Sequence, residues 1–433
     1  MAQKRILSVL MNGEPVGSWI HVSGREASFT YEKSWLDATG SRPISLSLPL
    51  SSRPIIGRQV DSFFDNLLPD NSEIRGRLQR RFNCPSRNPF DLLSAVGKDC
   101  AGALQILPEN SSIQSIRRID AIPLSEAQVA SVLRTISIGQ IPGDVHDEAF
   151  RISIAGAQEK TALLYYGNAW CIPQATTPTT HIFKLPLGII GGGINLSQSI
   201  ENEWLCLQIL KAFGLPVADA KIVQFEDQKA LCVKRFDRCY ASDKSWIIRI
   251  PQEDICQATG ISPEKKYESE GGPGISSILK LLQGSHNARY DRKTFLKAQL
   301  LYWLLAASDG HAKNFSLFIE AEGAYHLTPL YDVISAYPIS GKVKSNIFPQ
   351  RLRLAMSVGK QRHYEWRKFQ KRHWIETAAL TDTQDMISEI IGEIIDSKTS
   401  VINQISSNLP DGFPEYLAES ILSGLDETSK LLE

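Results

Sequence analysis

Apolar and polar positions alternate in two stretches of the chain and fall into helical stripes over most of the rest. "RILSVLMNGEPVGSWI" (5–20) is two apolar runs about Asn12-Gly13, the dipeptide of a two-residue hairpin turn. "PISLSLPL" (43–50) alternates with period two and predicts a further extended segment. "DSFFDNLLP" (61–69) and "NSEIRGRLQRRF" (71–82) predict helices, and the polar run "QIPGDVHDEAF" (140–150) reads as a connector and a soft domain boundary.

A second β-rich stretch follows. "EKTALLYYGNAWCIP" (159–173) turns at Gly167-Asn168, and "THIFKLP" (180–186) is a short strand. "SIENEWLCLQILKAFGLPV" (199–217) predicts an amphipathic helix stopped by Gly214 and Pro216. "AKIVQFEDQKALCVKRFDR" (220–238) predicts two strands about Glu226-Asp227, and after Asp237 the pattern turns helical. Near the end Thr381 is the expected cap of "TDTQDMISEIIGEIIDS", whose stripe of Ile387, Ile390, Ile391, Ile394 and Ile395 predicts a core-facing helix side. Strands with one helix, then mostly helices, predict an α+β chain of two lobes with a cleft as the site.

At 433 residues the chain has room for two or three domains. Its formal net charge is zero, so any contact with nucleic acid or membrane has to come from a local patch. The seven cysteines form no C-x-x-C pair, which argues against a disulfide framework and for a reducing compartment. The N-terminal apolar run is too short for a secretory signal, and the longest apolar stretch, "FLKAQLLYWLLAAS", is broken by Lys297 and Gln299. A cytoplasmic protein is expected.

Candidate chemistry concentrates in "AASDGHAKNFSLF" (306–318). Asn314 follows Asp309 by five residues, and "NFSLFIEAEGAYHLTPLYD" then reads as strand, turn at Glu322-Gly323, strand, ending on Asp332. Protein kinases order their parts in the same way: a loop aspartate, an asparagine five residues on, a hairpin and a metal-binding aspartate. A carboxylate can orient an attacking hydroxyl and take its proton, while an amide oxygen and a second carboxylate suit magnesium. Taken alone, Asp309 and Asn314 could equally cap turns. His311 has no histidine or cysteine partner at zinc-ligand spacing.

Upstream, Lys184 is placed to meet phosphates from a strand, though a lysine there could also guard a sheet edge. Glu203 is the helix carboxylate that could hold it, "RISIAGAQEKT" (151–161) is the candidate phosphate loop, and "VKRFDR" (233–238) the hinge. The loop lacks both G-x-x-x-x-G-K-[ST] and G-x-G-x-x-G. Phe236 could be an adenine neighbour or core.

Across nearly its whole length the chain resembles the HipA family of serine/threonine-kinase toxins from bacterial type II toxin–antitoxin pairs. The likeness is carried by "SLSLPL", "FFDNLLPD", "PFDLLSAVGKD", "RISIAGAQEKTALL", "TPTTHIFKLP", "NLSQSIENE", "RFDR", "PQEDICQ", "KYESEGGPG", "SDGHAKNFS" and "LTPLYDVISA". It implies a two-lobed protein-kinase-like (lipid-kinase-like) fold. The β-rich N-terminal part would span 1–140, a kinase N-terminal lobe 141–236 and a helical C-terminal lobe 237–433. It implies ATP with Mg2+ and transfer to a protein serine or threonine, the family's target being glutamyl-tRNA synthetase, an aminoacyl-tRNA synthetase whose phosphorylation slows translation and favours dormancy. The implied partners are a HipB-type helix-turn-helix antitoxin dimer and, through it, operator DNA.

Matched by motif, Asp309 is the catalytic aspartate, Asn314 and Asp332 are the metal ligands, and Lys184 is the ATP-phosphate lysine. Ile154, Ala155, Gly156, Ala157, Gln158 and Lys160 belong to the phosphate loop, and Lys234, Phe236 and His311 to the nucleotide site. Ser153 matches the serine that family members phosphorylate in themselves, which expels that loop. Two departures stand out. Lys234 replaces a glutamate at the hinge, where adenine contacts run through backbone, and "GIIGGGI" (188–194) is a shorter glycine-rich linker.

From Arg351 to His373 there are eight Lys/Arg and one acidic residue, Glu365. Such a run is ordinarily a solvated face. In a toxin docked on a DNA-bound antitoxin, Lys368, Lys371 and Arg372 could reach flanking phosphates. Arg75, Arg77, Arg80 and Arg81 form a second cluster, expected on a helix surface. Two alternatives to the kinase stay open: a corepressor with a vestigial ATP site, and a small-molecule phosphotransferase.

Overall fold

The structure is a computed structural model that describes residues 4–109, 111, 116–137, 158, 160–190, 193–340 and 349–433. The chain forms two compact units. The first comprises 1–185, 223–264 and 317–325; the second comprises 186–222, 265–316 and 326–433.

The first unit holds two antiparallel sheets. In the five-stranded sheet the order is Ile55–Ile56, Ser28–Tyr31, Glu14–Val22, Lys4–Met11, Leu104–Pro108. Asn12 and Gly13 make its first hairpin at φ 48° and 80°, the left-handed pair that a two-residue turn requires. Trp19 stacks on Phe64 with ring centroids 4.0 Å apart, so the helix Arg58–Asp65 closes one face of this sheet. Buried Val9, Phe29, Leu92 and Ile106 complete that core.

The six-stranded sheet runs Ala220–Phe225, Gln228–Lys234, His181–Lys184, Lys160–Tyr166, Ala169–Pro173, Ala121–Pro123. Its hairpin turns fall at Gly167-Asn168 and Glu226-Asp227, as the sequence predicts. The helix Glu126–Ser137 covers it through Val129, Ala130 and Leu133, which pack with Leu163, Phe183 and Ala230.

In the first unit three expectations need correction. "PISLSLPL" forms no strand: it is folded into turns with an isolated bridge between Ser45 and Leu48. Its alternation serves side-chain bonds, since Ser47 Oγ donates to Gln257 O (2.6 Å) and Leu46 N donates to Glu253 Oε1 (2.9 Å). The chain does not turn helical directly after Asp237: Arg238–Tyr240, Ile247–Arg249 and Gln252–Asp254 are short strands. Arg75 is no plain surface residue either, because it pairs with Asp65 at 2.6 Å while half-buried.

The second unit is mostly helical. Helix Ala288–Leu304 runs through its core, and Trp303 and Trp366 exchange reciprocal indole N–H to backbone carbonyl bonds of 3.3 and 2.8 Å. The long helix Gln384–Ser407 buries Ile387, Ile390, Ile391 and Ile394, with Ile395 half-buried at the edge of the stripe. Its N-cap is Thr383; Thr381 instead ends the preceding helix, Lys371–Leu380, and meets the Thr383 hydroxyl at 3.0 Å. Beside the "GIIGGGI" glycines, Gly188–Ile190 pairs antiparallel with Ile194–Leu196.

Candidate active site

In the second unit the helix Ala288–Leu304 ends on Leu305, and Ala306 enters the left-handed region at φ 50°. The chain then turns through Asp309 and a single 3-10 turn, Ala312–Asn314. Gly310 is needed by close approach: a Cβ there would lie 2.5 and 2.8 Å from the ring of buried Tyr302. Loop bonds fix the backbone of this turn and the Asn314 amide. His311 N donates to Asp309 O at 2.8 Å, and Asn314 N to His311 O at 2.9 Å. Asn314 Nδ2 donates to Asp309 O at 2.8 Å, which commits its NH₂ to the loop and turns the amide oxygen outward as a possible ligand. Asn314 is buried, whereas the Asp309 carboxylate is 62% exposed.

Asp332 sits at φ 60°, a strained conformation for an aspartate that the surroundings must impose. They do so on both sides. Leu330 forms a parallel bridge with Val217, Ala218 N donating to Leu330 O at 2.8 Å. Ser335 exchanges two 2.8 Å bonds with the Asn202 amide and donates to Leu305 O at 2.6 Å. The segment carrying Asp332 is thus tied to the start of the Asp309 loop. Tyr331 bridges back to it, its hydroxyl 2.6 Å from Ser316 Oγ and donating to Lys313 O at 3.0 Å. Burial, with the charges of Tyr331 and Asp332 alongside, pushes the Tyr302 phenol far up, so it stays protonated. A carboxylate and an amide oxygen are the hard-oxygen donors magnesium prefers.

In the first unit Lys160 and Lys184 lie directly opposite each other on neighbouring strands, with Lys184 buried. Gln158 Nε2 donates to Leu185 O at 2.6 Å, at the end of the same strand. Ser153, Ile154, Ala155, Gly156 and Ala157 lie outside the described residues. Lys234 ends its strand exposed, and Phe236, half-buried, packs edge-on against Phe318 with centroids 5.7 Å apart. Lys184 belongs to the first unit and Glu203 to the second.

Sequence reasoning missed what fixes the hinge. Arg235 and Arg238 are fully buried and share Asp99 and Asp237 (Arg235 Nη2–Asp237 Oδ2 2.8 Å, Arg238 Nη2–Asp99 Oδ1 2.8 Å, Arg235 Nη1–Asp99 Oδ2 3.2 Å). Arg249 joins at 3.5 Å. Thr179 N and Oγ1 donate to Asp99 at 3.0 and 2.7 Å. Burial alone would raise the Asp99 carboxyl, but the Arg238, Arg235 and Arg249 guanidiniums overcome it and hold it far below the ordinary range. The signal was the dense polar content of "KDCAG" and "RFDR", too polar for segments between apolar strands.

Comparison with known proteins agrees with this architecture. Residues 152–402 match the HipA-like C-terminal domain and residues 7–107 the HipA N-terminal domain. The chain belongs to the HipA family. It is 34% identical over 368 residues to "Putative kinase Y4mE" of Sinorhizobium fredii, covering 82% of this chain and 81% of that one. It is 29% identical over 317 residues to the serine/threonine-protein kinase toxin HipA of Shewanella oneidensis, covering 70% and 69%. The structure superposes on HipA of the Shewanella oneidensis complex of HipA, HipB and operator DNA with a TM-score of 0.77 at 23% identity, over 98% of this chain and 99% of that one. The fold is therefore α+β and kinase-like, with the HipA N-terminal domain attached. Among the described residues no helix is long and apolar enough to cross a membrane.

Proposed function

We propose that this protein is an ATP-dependent serine/threonine-protein kinase that acts as the toxin of a HipA–HipB-type pair. The observation that carries the reading is the Asp309–Asn314–Asp332 arrangement: an exposed carboxylate, a buried amide bonded to the Asp309 carbonyl, and an aspartate in the left-handed region. Asp309 orients the acceptor hydroxyl and takes its proton. Asn314 and Asp332 hold the cation, which when bound neutralises charge on the phosphates. Lys160 and Lys184 would receive phosphate oxygens, and the family likeness adds Gln158 and residues 154–157 to that set, the latter lying outside the described residues. The family likeness assigns Lys234, Phe236 and His311 to the nucleotide as well.

On this reading the acceptor is a protein serine or threonine, with an aminoacyl-tRNA synthetase, glutamyl-tRNA synthetase in particular, as the target class. Phosphorylation there would slow translation and favour dormancy. The chain's own Ser153 is a second acceptor, whose phosphate would repel the ATP phosphates and switch the enzyme off. A HipB-type dimer neutralises the toxin and carries it to operator DNA. Lys368 and Arg372 are exposed and Lys371 half-buried near one end of the second unit's helix Lys371–Leu380, where they could meet DNA phosphates. The experiment is intact mass of the purified chain before and after ATP with magnesium, followed by peptide mapping. One added phosphate at Ser153 is expected. Phosphate confined to other residues would remove the self-inactivation step, and none on this chain or on any added protein would remove the kinase.

A further inference from the structure

The loop 266–274, "KYESEGGPG", supplies none of the groups that meet ATP or the cation in the proposed reaction, yet the second unit is built to hold one of its side chains in place. Tyr267 extends its hydroxyl to Asp309 Oδ1 at 2.5 Å. Among the described residues this is the hydrogen bond that reaches the Asp309 carboxylate; His311 Nε2 stands off at 4.0 Å. We propose that Tyr267 is a positioning residue for phosphoryl transfer: its phenol ties down one oxygen of Asp309 so that the other faces the acceptor hydroxyl. This rests on the reading of Asp309 as the base.

Without that bond a carboxylate 62% open to water would be free to rotate about two torsions, and a base whose position wanders loses much of the advantage of proximity. A hydrogen bond from a neutral phenol to an ionised carboxylate is among the stronger kinds, and it leaves the second oxygen's lone pairs for the substrate. The tyrosine can hold the aspartate only if it is itself held. Its ring packs edge-on against His311, with centroids 5.0 Å apart and planes at 85°. Its backbone is clamped from two sides: Ala312 N donates to Lys266 O at 3.2 Å, and Gly272 N donates to Tyr267 O at 3.0 Å.

The rest of the motif makes that clamp possible. Gly271 takes φ 95°, and a Cβ on Gly272 would fall 2.1 Å from Lys265 O, so only glycine lets the loop fold back on Tyr267. Glu268 anchors the loop by accepting from Ser357 N (2.5 Å), Ser357 Oγ (2.9 Å) and Arg362 Nη2 (3.0 Å). Gly274 makes room for that carboxylate, since a Cβ there would lie 2.2 Å from Glu268 Cδ. Each position with a demanding residue type either closes the loop or fastens it, with Tyr267 between the fastenings.

The test is Tyr267→Phe, which keeps the ring against His311 and removes only the hydroxyl. Transfer of labelled γ-phosphate from Mg-ATP to the chain itself and to added casein is measured in Tyr267→Phe, Asp309→Ala and the double variant, with KM for ATP and Tm alongside. The expected result is a fall in transfer rate of about tenfold or more in Tyr267→Phe, with KM for ATP within about twofold and Tm unchanged. In the Asp309→Ala background the same change should cost nothing further, because the group it orients is gone. A wild-type rate in Tyr267→Phe, or an equal fractional loss in both backgrounds, would overturn the proposal. Full transfer by Asp309→Ala would instead overturn the reading of the base, and the tyrosine proposal with it. A dead Asp309→Ala beside a fully active Tyr267→Phe would sink the tyrosine proposal alone.

Discussion

Replacing Asp99 by asparagine removes one of two carboxylates that face three buried guanidiniums. Asp99 and Asp237 pair with Arg235, Arg238 and Arg249, all with side chains between 1% and 8% exposed. After the change, Asp237 alone would offset three positive charges in a dry environment. Asparagine could keep one acceptor for Thr179 but would present an NH₂ toward Arg238. Breaking a buried pair by deleting one partner costs about 3–5 kcal/mol, because the remaining charge stays desolvated. A native domain has only about 5–15 kcal/mol to lose. At roughly 2–4 °C per kcal/mol for a unit of this size, the first unfolding transition should drop by roughly 6–20 °C. The assay is thermal unfolding by circular dichroism and tryptophan fluorescence, in parallel for Asp99→Asn and for Asp99→Asn with Arg249→Met. The double variant should recover part of the loss, since Arg249, which burial already lowers to about 10, would no longer need the missing carboxylate. A loss below about 1 kcal/mol would show that water reaches the network, and would refute the claim that it ties "KDCAG" to the hinge.

Other consequences can be measured separately. Burial pushes the Glu253 carboxyl up to about 8, against bonds from Ser45 and Leu46. The folded state therefore holds a proton that the unfolded state has released, and stability falls as pH rises from about 4.5 to about 8. Glu253→Gln keeps an acceptor for Leu46 N and should remove that slope, leaving the variant more stable than wild type at pH 9 but not at pH 4; parallel pH curves would contradict this. Gly310→Ala drives a Cβ against the Tyr302 ring at 2.5 Å and should cost about 1–3 kcal/mol of stability together with most of the transfer activity, part of both returning with Tyr302→Leu. Neutralising Lys368, Lys371 and Arg372 should flatten the salt dependence with which an antitoxin complex binds operator DNA, by about one unit of slope per lost phosphate contact; an unchanged slope would return the patch to a solvated face.

Local chemistry was legible in the sequence wherever it was self-sufficient. Asn12-Gly13 and Gly167-Asn168 made the hairpins they announce, because their left-handed preference needs no distant help. The isoleucine stripe of 387–395 found the core for the same reason, and the spacing of Asp309, Asn314 and Asp332 marked out the candidate site. What could not be read depended on partners far along the chain. "SLSLPL" alternates like a strand, but its serines and backbone answer to Gln257 and Glu253, about two hundred residues on. Thr381 looks like a cap, yet Thr383 takes the position because the preceding helix runs as far as Leu380. Asp99 is an ordinary loop aspartate until Arg235, Arg238 and Arg249 arrive around it. Tyr267 was visible only as one letter of a family motif, since its partner Asp309 stands 42 positions away.

The central claim is that Asp309 serves the acceptor hydroxyl while Asp332 holds the cation, and one experiment separates the two. ATP affinity with and without magnesium is measured beside phosphate transfer for Asp309→Asn and Asp332→Asn. Asp309→Asn should lose about 10²–10⁴-fold in transfer and still bind Mg-ATP, because only a proton acceptor has gone. Asp332→Asn should bind ATP weakly and almost independently of magnesium. Full transfer by Asp309→Asn, or undiminished magnesium-dependent binding by Asp332→Asn, would contradict the account.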